Sequence, residues 1–469
     1  MAPHFANIPA HLLMWQRVRE YAVPLSMIET ATARRAVGDW AGACASARVD
    51  IDFHLRAVRD RYGSEFVTRL RTDLRRLAPD LLRWHMPRVA PHGRIRPGLT
   101  IALSRYGSSG TTSVQLVVRT PPAWADAGQR MSLALWDEHG DVAPRHHPHP
   151  RPTRRFRLDL HRHLWDSSRC GELASRCGAD TAPVPALPDR PQPLAWLNEP
   201  VRPDPSDTDD PSWASARWAA EAELLLGAEG DSSGVFTVRL GARDRRAFEL
   251  VAPDDHHVPT FRPLREALPP QVVAALPVLP EAAARILPDL ALLRAGLVAA
   301  DRLHPLVAKA LSASGTEPAD GPRPQLGDPH RVECRGDVHR IALRDGVLAA
   351  VDHDPAQLRR EELLVALGGP ALPCLRAIDA VHRDPQALPA VRERLGHGDV
   401  SGALAVVEGL LGPGAVLRDG PLRETLELSV ARHLDQGLFR SGLHPVPPPA
   451  TRPARRGRAR LRISPARAS

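Results

Sequence analysis

Between residues 27 and 87 the apolar positions recur at steps of three and four, the spacing that lines one face of a helix. Trp40, Cys44, Ala47, Ile51, Leu55 and Val58 form one stripe; Phe66, Leu70, Leu74 and Leu77 form the next. Gly63 is expected to end the first of these helices and Ser64 to cap the second, while Asp80, after Pro79, opens a short helix that stops before Pro87. The period then changes to two. Leu99, Ile101 and Leu103 alternate with polar or small residues, as do Val114, Leu116 and Val118, then Met131, Leu133 and Leu135, then Phe156, Leu158 and Leu160. This predicts an antiparallel sheet buried on one face, with Gly107-Ser108-Ser109-Gly110 as its first hairpin turn. The His/Pro/Arg-rich stretch 144–153 is too proline-dense for either regular element and reads as an exposed loop.

Further along, 165–178 reads as a helix, 235–240 and 246–251 as a hairpin, and 216–226 fits helix or strand equally. Residues 264–312 return to helical spacing. Strands are expected near 331–334, 338–343 and 347–351, the last two joined at Asp345-Gly346, a strong two-residue hairpin signal, and helices follow to about 440. The fold class is therefore α+β and multi-domain: a helical unit (1–90), an antiparallel β-rich unit with a His/Arg-rich loop (95–180), a Pro/Asp-rich linker (181–212), a β-hairpin segment (213–262), a helical segment (263–312), a second linker (313–329), a β-hairpin plus helical unit (330–440) and a disordered Arg-rich tail (441–469).

One short pattern occurs twice. Gly38-Asp39-Trp40-Ala41-Gly42-Ala43 and Gly398-Asp399-Val400-Ser401-Gly402-Ala403 share the form G-D-x-x-G-A, each with an apolar helical stripe before and after it, the second copy using Val400, Leu404, Val407 and Leu411. This resembles the turn and second helix of a tetratricopeptide-like helical hairpin. The copies lie too far apart to stack as sequential repeats, so an array is not implied.

Composition narrows the function classes. At 469 residues, with 43% hydrophobic and 25% charged residues, the chain can bury a sizeable core, and its 48 Pro and 33 Gly imply many turns. Of 62 basic residues only Lys309 is lysine, a skew that fits GC-rich coding better than phosphate chemistry. The net charge of +8 sits almost wholly in 441–469, where Arg452, Arg455, Arg456, Arg458, Arg460, Arg462 and Arg467 face no acidic residue. The rest is close to neutral, which predicts a folded surface without strong preference for anions. Five Cys form neither a disulfide framework nor CxxC pairs, which favours a reducing compartment and hence the cytoplasm. The apolar patch Leu12-Leu13-Met14-Trp15 lacks the flanks of a signal peptide, and no apolar run approaches the roughly 20 residues that cross a bilayer, so no membrane partner is expected.

Candidate chemistry is sparse. His161 and His163, two apart at the end of the expected fourth strand, would share a face and could chelate one metal ion, with His147, His149 and Asp159 as further ligands. Cys170 and Cys177, seven apart on a helix, stand roughly 10 Å apart, too far to complete such a site or to bond each other. Asp352-His353-Asp354, Asp254-Asp255-His256-His257 and Arg335-Gly336-Asp337 fit turns better than sites. There is no G-x-S-x-G elbow and no P-loop. The tail arginines have no interleaved aromatics, so any nucleic-acid contact through them would be phosphate-directed and non-specific. These readings point first to a non-catalytic cytoplasmic adaptor that binds another protein and needs no cofactor. A nucleic-acid-associated factor anchored by the tail comes second, and a metal-dependent hydrolase centred on His161 and His163 third.

Overall fold

The computed structural model describes residues 9–107, 113–137, 147–178, 213–241, 244–251, 259–265, 268–312, 331–334, 337–344, 347–350, 387–411 and 421–443, with single positions at 356, 359, 360 and 363. Ser108, Ser109, the Asp254–His257 and Asp352–Asp354 clusters, both linkers and Arg452 to Arg467 lie outside the described residues.

Helix α1 (Ala10–Arg17) passes through a π-helical turn (Val18–Ala22) into α2 (Leu25–Ala36) and α3 (Trp40–Ser46). The expected continuous stripe from Trp40 to Val58 is interrupted. Arg48 takes a positive φ of 59°, so the chain turns out of α3 and Val49–Ile51 becomes a short strand, β1, before α4 (Leu55–Arg76) begins. Gly63, at φ 87° and ψ 169°, breaks helical geometry inside α4 at the position where the spacing placed a helix end. Pro79 sits at the first turn of α5 (Pro79–His85), where its missing N–H costs nothing.

A small hairpin, β2 (Arg88–Val89) and β3 (Arg94–Ile95), precedes the main sheet of β4 (Thr100–Tyr106), β5 (Val114–Arg119) and β6 (Met131–Asp137). These three alternating segments pair antiparallel in chain order, as expected, and β1 adds to the far edge parallel to β6, giving the order β1-β6-β5-β4. The fourth alternating segment is not a strand. The backbone N–H groups of Leu160 and His161 donate to the carbonyls of Arg157 and Leu158, closing turns, and only Arg157 bridges to Ala102 of β4. The guanidinium of Arg157 clamps Asp159 two residues on, at 2.8 and 2.9 Å, which holds this bend; Phe156 and Leu158 are still buried by it.

Beyond α6 (Leu173–Cys177), the ambiguous segment is helix α7 (Trp218–Glu229), stopped by Gly230 in the left-handed region. It packs Trp218 and Ala222 against Phe236 and Phe248 of the meander β7 (Val235–Arg239), β8 (Arg245–Val251) and β9 (Thr260–Pro263). Helices α8 (Pro270–Ala275), α9 (Glu281–Ala284), α10 (Pro288–Arg294) and α11 (Pro305–Ser312) follow. Leu290, Leu292, Val307 and Leu311 join Leu70, Leu74, Leu81, Leu116 and Leu133 in one apolar core, where each Leu→Ala change would cost about 2–5 kcal/mol. Two buried hydrogen bonds tie α5 to these helices: Asp80 accepts from His304 at 2.8 Å, and Asp289 accepts from Trp84 at 2.8 Å. The last described elements are the meander β10 (Arg331–Cys334), β11 (Asp337–Arg344) and β12 (Val347–Ala350), then α12 (Ala387–Gly396), α13 (Val400–Leu411) and α14 (Pro421–Arg440). The protein is α+β with a multi-domain layout, and no helix among the described residues is long and apolar enough to cross a membrane.

Candidate functional site

Both G-D-x-x-G-A motifs build the same turn. Asp39 caps α3 by accepting from the Gly42 amide at 2.8 Å, and Asp399 caps α13 by accepting from Gly402 at 3.2 Å. An arginine five residues earlier pairs with each cap, Arg34 with Asp39 at 3.1 Å and Arg394 with Asp399 at 2.8 Å. The second glycine leaves room for the cap in both, since a side-chain carbon at Gly42 or Gly402 would fall 2.1 Å from the capping carboxylate and push it aside.

Their surroundings differ. At the first turn a carbon on Gly38 would meet nothing within 4 Å, whereas one on Gly398 would lie 2.0 Å from the carbonyl oxygen of Gly128. The α12–α13 turn is therefore seated backbone to backbone on the loop between β5 and β6. Around that contact, Arg48 donates to the His397 carbonyl at 2.6 Å and pairs with Asp399 at 3.4 Å. Arg440 at the end of α14 pairs with Asp50 and Asp52 at 2.9 and 2.8 Å, and Phe439 meets Trp124 edge-on at 5.5 Å.

The seat is rich in cations. Arg83 is fully buried and donates to the carbonyls of Ala22 at 3.0 Å and Gln129 at 2.6 Å; Arg88, nearly as buried, donates to the carbonyls of Gly93 and Arg83. Among the described residues neither forms an ion pair with a carboxylate. Burial holds the Arg83 guanidinium well below its usual range, with Arg48, Arg88 and Arg130 adding to the effect, and brings Arg88 down to about 9. His397, 1% exposed beside them, registers the same field: burial and then the charges of Arg88, Arg83 and Arg94 push it down to about 3.

In front of this seat is a cleft of about 210 Å3. One wall is Arg94, Ala127 and Gly128; the other is Arg392, Leu395 and Gly396 of α12 with Leu428, Arg432 and His433 of α14. Arg94 pairs with Asp126 at 2.7 Å, but its Nε has no partner. Arg392 and Arg432 form no ion pair among the described residues. Outside the cleft, α14 exposes Val430 (63%), Leu434 (66%) and Leu438 (40%) at successive i, i+4 positions. The near-neutral balance of the body outside 441–469 thus conceals a local concentration of arginine, Arg94, Arg392 and Arg432, at this cleft.

The sequence-predicted metal pair is placed otherwise. His161 precedes a 3₁₀ turn (Arg162–Leu164) and His163 lies within it, so the two share no strand face; their ring centroids are 5.7 Å apart. His161 Nδ1 faces the Arg157 carbonyl at 2.9 Å and Nε2 faces Glu221 at 3.1 Å. Both nitrogens thus point at oxygen acceptors, whereas a metal ligand needs a bare lone pair. Glu221 also accepts from Arg176 at 2.7 Å and Arg217 at 3.1 Å; burial alone would raise its carboxyl, but the His161 and Arg176 hydrogen bonds hold it well below the carboxylate range. His163 is kept far below its usual range by burial and the neighbouring charges of His161 and Arg176. Among the described residues no three His, Cys, Asp or Glu side chains converge as a metal site. His147 is spent on the Thr120 carbonyl, and Asp159 on Arg157 and Arg105.

No protein-family model matches the chain, and neither a curated protein nor a solved structure matches it.

Proposed function

We propose that the protein is a non-catalytic adaptor of the cytoplasm, whose partner lays an amphipathic helix along the outward face of α14. The observation that carries this reading is the exposed row Val430, Leu434 and Leu438. Apolar residues at i, i+4 and i+8 are the anchors of helix-to-helix recognition, and burying each would contribute about 1.5–3 kcal/mol. The occupant is a mixed-charge helix, because Arg423, Glu424, Glu427 and Asp435 of α14 flank the row with both signs. Further support comes from the buried titratable groups: Asp80, Asp289 and Glu221 have partners within the protein, and burial pushes the Cys44 and Cys170 thiols up to about 12, far from nucleophilic thiolates. Cys44 and Cys170 are buried thiols outside any disulfide, which fits a reducing compartment.

The test is affinity purification of the wild-type chain beside a Val430→Asp, Leu434→Asp variant of equal helicity. The reading expects a partner that co-elutes with the wild type in a fixed ratio and is lost by the variant. A partner held equally by both would contradict it.

A further inference from the structure

The cleft behind α14 supports a second inference that does not depend on its apolar row. Its walls carry Arg94, Arg392 and Arg432, with no carboxylate among the described residues that line it; Asp126, just outside, pairs with Arg94 at 2.7 Å and also feels Arg432. Behind them, Arg83 and Arg88 are buried without any carboxylate among the described residues. An ion removed from water without a counter-charge is costly, and a buried excess of one sign projects its potential into the adjoining cleft. The surplus exceeds one positive charge, so a monocarboxylate would leave a guanidinium unmatched, whereas a phosphoryl group brings about two negative charges and oxygens suited to forked donors. Size sets the other limit. At about 210 Å3 the cleft lies below the roughly 300–1,000 Å3 of sites that enclose drug-sized ligands.

We propose that this cleft binds a small phosphoryl anion of about diphosphate size, either free or as the terminal group of a larger molecule, held by Arg392 and Arg432 of the C-terminal helices and Arg94 of the N-terminal body. Because the walls come from both sides of the seat, the anion also clamps α12–α14 onto the body.

Calorimetric titration of the full chain at low ionic strength tests this with inorganic diphosphate, ADP and acetate. Diphosphate or ADP binds with one site per chain, and acetate does not compete. Tighter binding of diphosphate identifies the free ion, tighter binding of ADP the terminal group. An Arg392→Ala, Arg432→Ala variant weakens binding at least tenfold, an Arg392→Lys, Arg432→Lys variant restores part of it, and Arg59→Ala, an exposed arginine elsewhere, leaves it unchanged. An uncharged Val430→Ser, Leu434→Ser variant binds as the wild type does, which separates this site from the partner surface. No binding of either phosphoryl probe to the wild type at millimolar concentration, or equal binding by the folded Arg→Ala double variant, would overturn the proposal.

Discussion

Arg48 reaches across 349 positions of sequence to donate to the carbonyl oxygen of His397 at 2.6 Å. That bond joins the end of the first G-D-x-x-G-A hairpin to the turn of the second. Cleft and apolar row alike depend on how the second hairpin is held, so the seat is the feature from which the functional readings descend.

The two caps provide an internal comparison. Asp39→Ala removes a hydrogen bond at a half-exposed turn and should cost about 1 kcal/mol. Asp399→Ala removes the equivalent bond and also the carboxylate shared by Arg48 and Arg394, both largely shielded from solvent, so it should cost about 2–4 kcal/mol. Urea denaturation of both variants checks the order; equal losses would mean that Arg48 contributes nothing through Asp399.

Acid should weaken the fold through two histidines. Burial depresses His397 to about 3 and holds His163 well below the usual imidazole range, while both titrate near 6.5 when unfolded. The unfolded chain therefore binds more protons below pH 6.5, and the stability these groups contribute is complete above that value and is lost as pH falls toward the folded pKa. His397 adds a slope of up to about 1.4 kcal/mol per pH unit between pH 6 and 4, and His163 contributes in the same direction. Denaturation midpoints across that range, compared with His397→Gln, should show the slope reduced in the variant.

Glu221 holds His161, Arg176 and Arg217 at once. Glu221→Gln should destabilise the protein by about 3–5 kcal/mol, because it leaves buried cations without their carboxylate. Thermal melting measures this. The same geometry predicts that a chelator leaves the wild-type melting temperature unchanged, and a drop would show that His161 trades Glu221 for a metal ion.

Much of the fold was legible where one periodicity ran long enough. β4, β5 and β6 alternate over six or seven residues and face a single core, so spacing alone located them. β1 is three residues long and exists only because β6 accepts it in parallel, a tertiary effect invisible in its own sequence. Phe156, Leu158 and Leu160 carried a strand-like pattern, but the Arg157–Asp159 clamp turns the chain there, so burial survives without a ladder. The candidate site was less legible. The G-D-x-x-G-A turns stood out, yet nothing near Gly398 announces that Gly128 lies against it. The cations of the seat and cleft, Arg48, Arg83, Arg88, Arg94, Arg392 and Arg432, are scattered through the near-neutral part of the chain that precedes 441–469, and only the fold adds their charges in one place.

The seating of α12–α13 on the β5–β6 loop is tested most directly by hydrogen exchange in a Gly398→Ala variant. With no room for a methyl group against the Gly128 carbonyl, the hairpin must lift. Amides of residues 122–130 and 387–411 are then expected to exchange faster than in the wild type, while those of α4 and β5 keep their protection. Unchanged exchange in both segments would show that the turn is not seated there, and the cleft and its proposed ligand would fall with it.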